Sequence, residues 1–238
     1  MHQSGARLSP LSLQTRRCFI LVTMTNLVLT IGHSAHSLET FIGLLQKHEV
    51  EVVADVRSQP YSRRFPQFSR PELQAALKSM GLRYVFLGRE LGARREERQC
   101  YVDGQARYDL IAKQPLFSAG LQRLANGIQQ FRVALLCAEK DPLTCHRMIL
   151  VCRHLKRSNF QIAHILEDGG IESQEAAEKR LLLEEGFNPD QADIFSGRID
   201  NEATLERAYV KRGERIAYRE TNGTEGEDTY DWVYPEVR

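Results

Sequence analysis

The sequence predicts an α/β fold: an open, mostly parallel sheet with helices on both faces, followed by an acidic C-terminal extension. Three observations carry this. Short apolar runs rich in β-branched residues alternate with segments whose apolar residues recur at helical spacing, the order that builds βαβ crossovers and parallel neighbours. The runs are apolar nearly throughout instead of alternating with polar residues, as strands covered on both faces are. Charge divides along the chain: residues 24–165 carry 20 Lys and Arg against 12 Asp and Glu, and residues 166–238 carry 9 against 19.

The elements follow in order. "NLVLTIGHS" reads as a strand ending in a Gly turn. Ser37 is a suitable N-cap for a helix over Leu38 to Lys47, with Leu38, Phe41, Ile42 and Leu45 at i, i+3, i+4 and i+7. "VEVVADVRS" is the second strand. Pro71 suits the first turn of a helix that turns Leu73, Ala76, Leu77 and Met80 inward and closes at Gly81. "LRYVFLG" is a third strand, and residues 89–108 lack an apolar period and read as a long surface excursion. Phe117, Leu121, Leu124 and Ile128 mark a helix, and "RVALLC" is a central buried strand. Thr144 is placed to cap a helix beginning at Cys-His-Arg, whose buried stripe is Met148, Ile149, Cys152 and Leu155, and "FQIAHIL" is the last strand. Beyond Gly170, "SQEAAEKRLLLEEG" and part of "NPDQADIFSGRIDNEATLERAYVKRGERIAYRE" read as helices. Tyr230, Trp232 and Tyr234 alternate near the end, as a terminal strand or an unstructured tail would carry them.

These boundaries divide 238 residues into an extension over 1–23, an α/β domain over 24–169 and an acidic, mainly helical extension over 170–238. Met24, directly before the first strand, is an alternative start. Five cysteines without a CxxC pair suit reduced thiols and a cytoplasmic setting. No apolar run approaches the ~20 residues of a membrane span. The chain has no P-loop, dinucleotide fingerprint or HExxH motif. The basic body favours a polyanionic or phosphorylated partner, whether a small molecule or a nucleic acid.

Chemistry gathers where strands end, because open α/β sheets bind ligands at the carboxyl ends of their strands. Three strands end in polar text: "IGHSAHS", "ADVRSQPYS" and "LLCAEKDPLTCHR". Arg57 follows one strand and Arg147 opens a helix, where an anion between them would offset the unfavourable placement of a cation at a helix N-terminus. The same arginines have a structural alternative, pairing with Asp55, Glu139 or Asp141. Cys145, near that helix start and beside His146 and Arg147, reads either as a nucleophile of lowered pKa or as a core thiol seven residues before Cys152. His146, His33, Glu139 and Asp55 are the candidate proton-transfer groups. Ser34, Ser62 and Arg64 join the arginines as candidate ligand contacts. No cofactor is expected; a zinc site of Cys137, Cys145, His146 and His33 is the metal alternative, with a spacing unlike the compact zinc motifs. "YSRRFPQFSR" and "RELGARREER" interleave Arg with aromatic rings, a pattern suited to holding phosphates and stacking bases.

In content and order, "TIGHSAHSLETFIGLL", "VVADVRSQPYSR", "LRYVFLGRELG", "ALLCAEKDPLTCHR" and "IAHIL" resemble the DUF488 family of bacterial proteins over about residues 27–169. Gly32, His33 and Ser34 match its first motif; Asp55, Arg57, Pro60 and Ser62 its second; Cys137, Glu139, Pro142, Cys145, His146 and Arg147 its third. Ala93 stands where the family often has a second glycine. The resemblance implies an α/β domain with a polar site built from those motifs and supplies no reaction. From the residues, three readings compete: an enzyme acting on a phosphorylated or nucleotide-like substrate, perhaps a Cys- or His-dependent hydrolase or transferase; a nucleotide or nucleic-acid binding module; and a scaffold whose acidic region recruits a partner.

Overall fold

Five parallel strands form the centre of the molecule. The computed structural model describes residues 26–187 and 201–220, and the expectations for residues 1–23, Met24, Tyr230, Trp232 and Tyr234 lie outside them. β1 (Leu27–Gly32) leads to α1 (Leu38–Lys47) and β2 (Val52–Asp55); α2 (Arg70–Ser79) leads to β3 (Arg83–Phe86). After α3 (Gly88–Leu91) come a small hairpin of β4 (Tyr101–Val102) and β5 (Gln105–Ala106), then α4 (Tyr108–Ile111), α5 (Pro115–Ile128) and β6 (Val133–Cys137). A π-helical segment, Arg147–Cys152, runs into α6 (Arg153–Lys156), followed by β7 (Gln161–Ile165), β8 (Ile171–Ser173), α7 (Gln174–Glu184) and α8 (Asn201–Ile216). The main sheet has the order β3-β2-β6-β1-β7-β8, parallel except that β8 pairs antiparallel with β7.

Local chemistry accounts for several elements directly. Ser37 Oγ accepts from the Thr40 backbone N–H at 3.1 Å and caps α1, whose Phe41, Ile42, Leu44 and Leu45 are buried. Pro71 sits in the first turn of α2, and Gly81 follows it with φ +76°. Helices cover both faces. Leu29, Ile31, Val53 and Leu136 pack against α1 and α2, while Val28, Ala54, Leu135 and Cys137 pack on the opposite side with α5 and the π-helical segment.

Three expectations need correction. Met80 is 48% exposed, because α2 ends one residue earlier and only Leu73 and Leu77 of its stripe are buried. Residues 89–108 are not a surface excursion: Leu91, Ala93, Cys100, Ala106 and Tyr108 enter the core, and Arg95 ties the segment together by donating to the carbonyls of Arg89 and Glu90 at 2.8 and 3.0 Å. Such a segment is held by scattered anchors and internal hydrogen bonds, so it shows no period. Thr144 does not cap the next helix; its hydroxyl donates to Asp141 O, and Cys145 Sγ accepts the Arg147 N–H at 3.4 Å. Residues after Gly170 also pack on the body. β8 joins the main sheet, and Ala208 and Tyr209 of α8 lie in the core. Acidic residues of this part pair with the basic body, as in Glu206 with Arg153 and Arg157, Glu178 with Lys156, and Glu220 with Arg98.

The sheet order positions the site. β6 lies between β1 and β2, with Gly32 opposite Cys137 and Asp55 opposite Leu136, so three polar strand ends stand side by side. The β1 ladder continues past the strand: His33 N donates to Cys137 O and Ser34 N to Ala138 O, both at 2.9 Å. That approach requires a glycine, since a Cβ on Gly32 would lie 1.8 Å from the Glu139 carbonyl oxygen. Gly32→Ala is therefore expected to push the Glu139–Lys140 backbone away and cost about 3 kcal/mol, read by urea unfolding. A loss under about 0.5 kcal/mol would mean that this contact yields easily.

Candidate functional site

A cavity of about 660 Å³ opens over these strand ends. Its floor is formed by His33 and Ser34 after β1, Arg57 after β2, and Cys137, Ala138, Glu139 and His146 around the end of β6. The loop carrying Tyr61, Ser62, Arg63, Arg64 and Phe65 forms one wall, and Ala93, Arg94, Tyr108, Ile216 and Tyr218 close another. Ile216 and Tyr218 come from beyond Gly170, so the C-terminal part helps build the cavity.

Arg57 and Asp55 are a fixed pair. Arg57 Nε donates to Asp55 Oδ1 at 2.9 Å and Nη2 to Oδ2 at 2.6 Å, while the Arg57 backbone N–H and the Tyr84 hydroxyl also donate to that carboxylate. Asp55 is fully buried and its oxygens are engaged, which suits orienting Arg57 and leaves little capacity for proton transfer. Arg57 Nη1 has no hydrogen-bond partner among the described residues, and Arg57 lines the cavity. Gly88 allows this packing; a Cβ there would meet Arg57 O at 1.9 Å.

Arg147 lies under the site and does not line the cavity. It is fully buried, and donates from Nη1 to Glu139 O at 2.5 Å, from Nη2 to Lys140 O at 3.0 Å and from Nε to Thr30 Oγ1 at 3.3 Å. Its guanidinium thus anchors the backbone after β6 and is already satisfied, contrary to a direct anion contact. Cys145 is similarly placed, 1% exposed and off the cavity wall, which speaks against a substrate reaching its sulfur. Burial opposes its thiolate, but the Cys137 thiol, the Arg147 charge and His146 outweigh that and hold its pKa well below the usual thiol range. Burial and the neighbouring Cys145 push the Cys137 thiol up.

His146 joins this pair. Its Nε2 is 3.0 Å from Val56 O, so Nε2 carries a proton and donates, and Nδ1 lies 3.5 Å from Cys137 Sγ. Ligand atoms of Cys137, Cys145 and His146 all lie within 4.8 Å of one another. This Cys2His cluster is able in principle to coordinate a metal. His33 is not part of it: its ring stacks on Phe68 at 4.4 Å, Nδ1 donates to Ser34 O at 3.0 Å, and burial followed by the Arg57 charge lowers its pKa to about 4. Beside the cluster, Glu139 Oε2 is buried without a hydrogen-bond partner among the described residues. Burial, and then the charge at Cys145, raise that carboxyl to about 7.

Residues 37–153 match the DUF488 family, described as a domain of unknown function. The chain carries a DUF488 domain. The match is narrower than the motifs suggested: Gly32, His33 and Ser34 lie just before it, and β7, β8, α7 and α8 follow it. No curated protein and no solved structure matches the chain. Within the DUF488 domain, Asp55, Arg57, Ser62, Arg64, Cys137, Glu139, Cys145, His146 and Arg147 come from two separate stretches and meet at or directly beneath one cavity. Ser62 Oγ accepts the Phe65 N–H at 3.0 Å and shapes the wall, and Arg64 lies over the Phe65 ring. Ser34 has φ +48°, a conformation rare for a residue with a Cβ. Ala93 takes up no positive φ and contributes to the wall.

One network escaped the sequence reading. Arg147 Nε donates to Thr30 Oγ1, whose hydroxyl reaches His164 Nδ1 at 2.8 Å; His164 Nε2 reaches Gln174 Oε1 at 3.0 Å, and Gln174 Nε2 reaches the Tyr209 hydroxyl at 2.7 Å. Tyr209 donates to Glu178, which pairs with Lys156. In sequence, Thr30 and His164 are single polar residues inside apolar strands, and that interruption was the available signal. Among the described residues no helix is long and apolar enough to cross a membrane.

Proposed function

We propose that the cavity belongs to an enzyme acting on a phosphorylated or nucleotide-like substrate, with Arg57 gripping an anionic oxygen and Glu139 moving a proton. The observation that carries the reading is Arg57: its charge is oriented by Asp55, it lines the cavity, and its Nη1 has no hydrogen-bond partner among the described residues. A pre-oriented fork of this kind is suited to phosphate or carboxylate oxygens. Arg63 and Arg64 add positive charge on the wall, and Tyr61, Tyr108 and Tyr218 supply flat surfaces for a base. Glu139 suits acid/base work because it lines the same cavity with a carboxyl held near neutrality.

The first test uses nucleoside monophosphates and inorganic pyrophosphate as calorimetric probes. Arg57→Lys keeps a charge beside Asp55 but loses the planar fork, and binding is expected to weaken by about tenfold or more. Glu139→Gln, of nearly the same shape, is expected to keep binding and to lower turnover of any probe that reacts by ~10²- to 10⁴-fold. Absence of binding by every anionic probe at low salt would remove the reading.

A binding module without turnover is the second reading, favoured by the exposed Tyr61, Arg63 and Arg64 at the rim. It calls for affinity toward single-stranded nucleic acid that falls steeply with salt and survives Glu139→Gln. The scaffold reading gains no support from the described acidic residues Glu178, Glu185 and Glu206, which already pair with Lys and Arg of this chain.

A further inference from the structure

We infer that Cys137, Cys145 and His146 bind a borderline-soft divalent cation, zinc by its chemistry, at the floor of the cavity, with the fourth position facing Glu139 and the cavity. First, the three ligand atoms already stand close together. In a tetrahedral zinc centre, bond lengths of about 2.3 Å to sulfur and 2.0 Å to nitrogen put the two ligand atoms about 3.5 Å apart. Cys137 Sγ and His146 Nδ1 stand 3.5 Å apart, and Cys145 Sγ lies within 4.8 Å of both.

Second, the imidazole is set up as a ligand. Its Nε2–H is committed to Val56 O at 3.0 Å, which leaves the Nδ1 lone pair directed toward the thiols. A metal-bound histidine typically has its other ring nitrogen held this way, by a backbone carbonyl or a carboxylate. The Arg147 backbone N–H on Cys145 Sγ likewise favours a thiolate.

Third, Glu139 supplies a separate observation that favours a cation here. Oε2 is buried and has no hydrogen-bond partner among the described residues, and an orphaned carboxylate oxygen is costly unless a proton, water or cation satisfies it. Charge also balances. Two thiolates and Glu139 offset a divalent cation together with the buried Arg147, whereas Arg57 is already neutralised by Asp55. Cys137 and Glu139 both line the cavity, so the fourth position is accessible to a ligand, as in zinc sites that bind water or substrate. Loading the site would release to solvent whatever protons the two thiols and the Glu139 carboxyl carry, while the His146 Nε2–H stays on Val56 O.

The inference does not depend on the identity of the substrate. Its test is metal binding by the full chain, read without activity. Protein prepared under reducing conditions, stripped with a chelator and checked for retained far-UV circular dichroism, is titrated with Co²⁺ alone. Saturation at about one ion per chain with thiolate-to-cobalt charge-transfer absorption is expected, and Zn²⁺ should displace the cobalt and bleach the bands. Cys137→Ser and Cys145→Ser should each reduce the charge-transfer intensity by about half, and His146→Ala should weaken cobalt binding. Folded wild-type protein that shows no charge-transfer band at saturating Co²⁺ overturns the inference, and so does a band that persists in the Cys137→Ser/Cys145→Ser double variant. Because buried cysteines tolerate change poorly, the wild-type titration is decisive if those variants do not fold. Cobalt binding with no affinity for anionic probes would retain the metal site and reject the substrate reading; the reverse pattern would do the opposite.

Discussion

Arg147→Met is expected to lower the unfolding free energy by about 3–5 kcal/mol, the largest loss of any single substitution at this site. The methionine would fill most of the volume but leave the carbonyls of Glu139 and Lys140 and the hydroxyl of Thr30 without their shared donor. It would also remove the positive charge that offsets Cys145 inside the core. Arg147→Lys should fall between the two, since one ammonium cannot reach all three acceptors with the geometry of a planar fork. Urea unfolding measures both. A loss below about 1 kcal/mol for Arg147→Met would show that the backbone after β6 holds its position without the arginine, and that residue would then have no positioning role at the cavity.

Replacing His164 with Gln should change how stability depends on pH. Burial, and then the Arg147 charge, push this histidine down to about 3, so it stays neutral in the folded protein while its unfolded counterpart titrates near 6.5. Between those values the unfolded chain binds the extra proton. The His164 contribution is therefore fully present above pH 6.5 and is lost as pH falls toward 3, by about 1.4 kcal/mol per pH unit. The neutral ring is also what the hydrogen bonds demand, because Nδ1 must accept from Thr30 while Nε2 donates to Gln174. His33 contributes in the same direction and Glu139, with its raised pKa, in the opposite one, so the difference between wild type and His164→Gln isolates the term. The variant should lose about 1–2 kcal/mol at pH 7 and show a shallower decline between pH 6.5 and 5. Parallel stability curves would mean that His164 titrates normally in the folded state.

Much of the fold was legible because it depends on neighbours in sequence. The Ser37 cap, the helical spacing of Phe41, Ile42 and Leu45, the proline at the start of α2 and the apolar run of β6 are local signals, and each element formed where those signals stood. β8 was not legible: it spans three residues and pairs only because β7 presents an edge. Residues 89–108 were misread for a related reason, since Tyr108 and Cys100 are buried by partners distant in sequence and follow no period. The charge split was real, but its meaning came from contacts, with Glu178, Glu206 and Glu220 paired to basic residues of the body.

The same division runs through the candidate site. From sequence alone came the parallel strands, the principle that their carboxyl ends collect ligands, and the three polar stretches that hold His33, Ser34, Asp55, Arg57, Cys137, Glu139, Cys145, His146 and Arg147. Tertiary structure decided which of these side chains meets the cavity. Arg57 and Glu139 line it, whereas Arg147 and Cys145 lie below it, though they come from the same short segment as His146. The reason is geometric: a strand and a helix signal their existence through periodicity, but a side chain's neighbours depend on sheet order and on how closely backbones approach. Here β6 is inserted between β1 and β2, and Gly32 lets the Glu139 carbonyl come close enough for Arg147 to hold it from beneath.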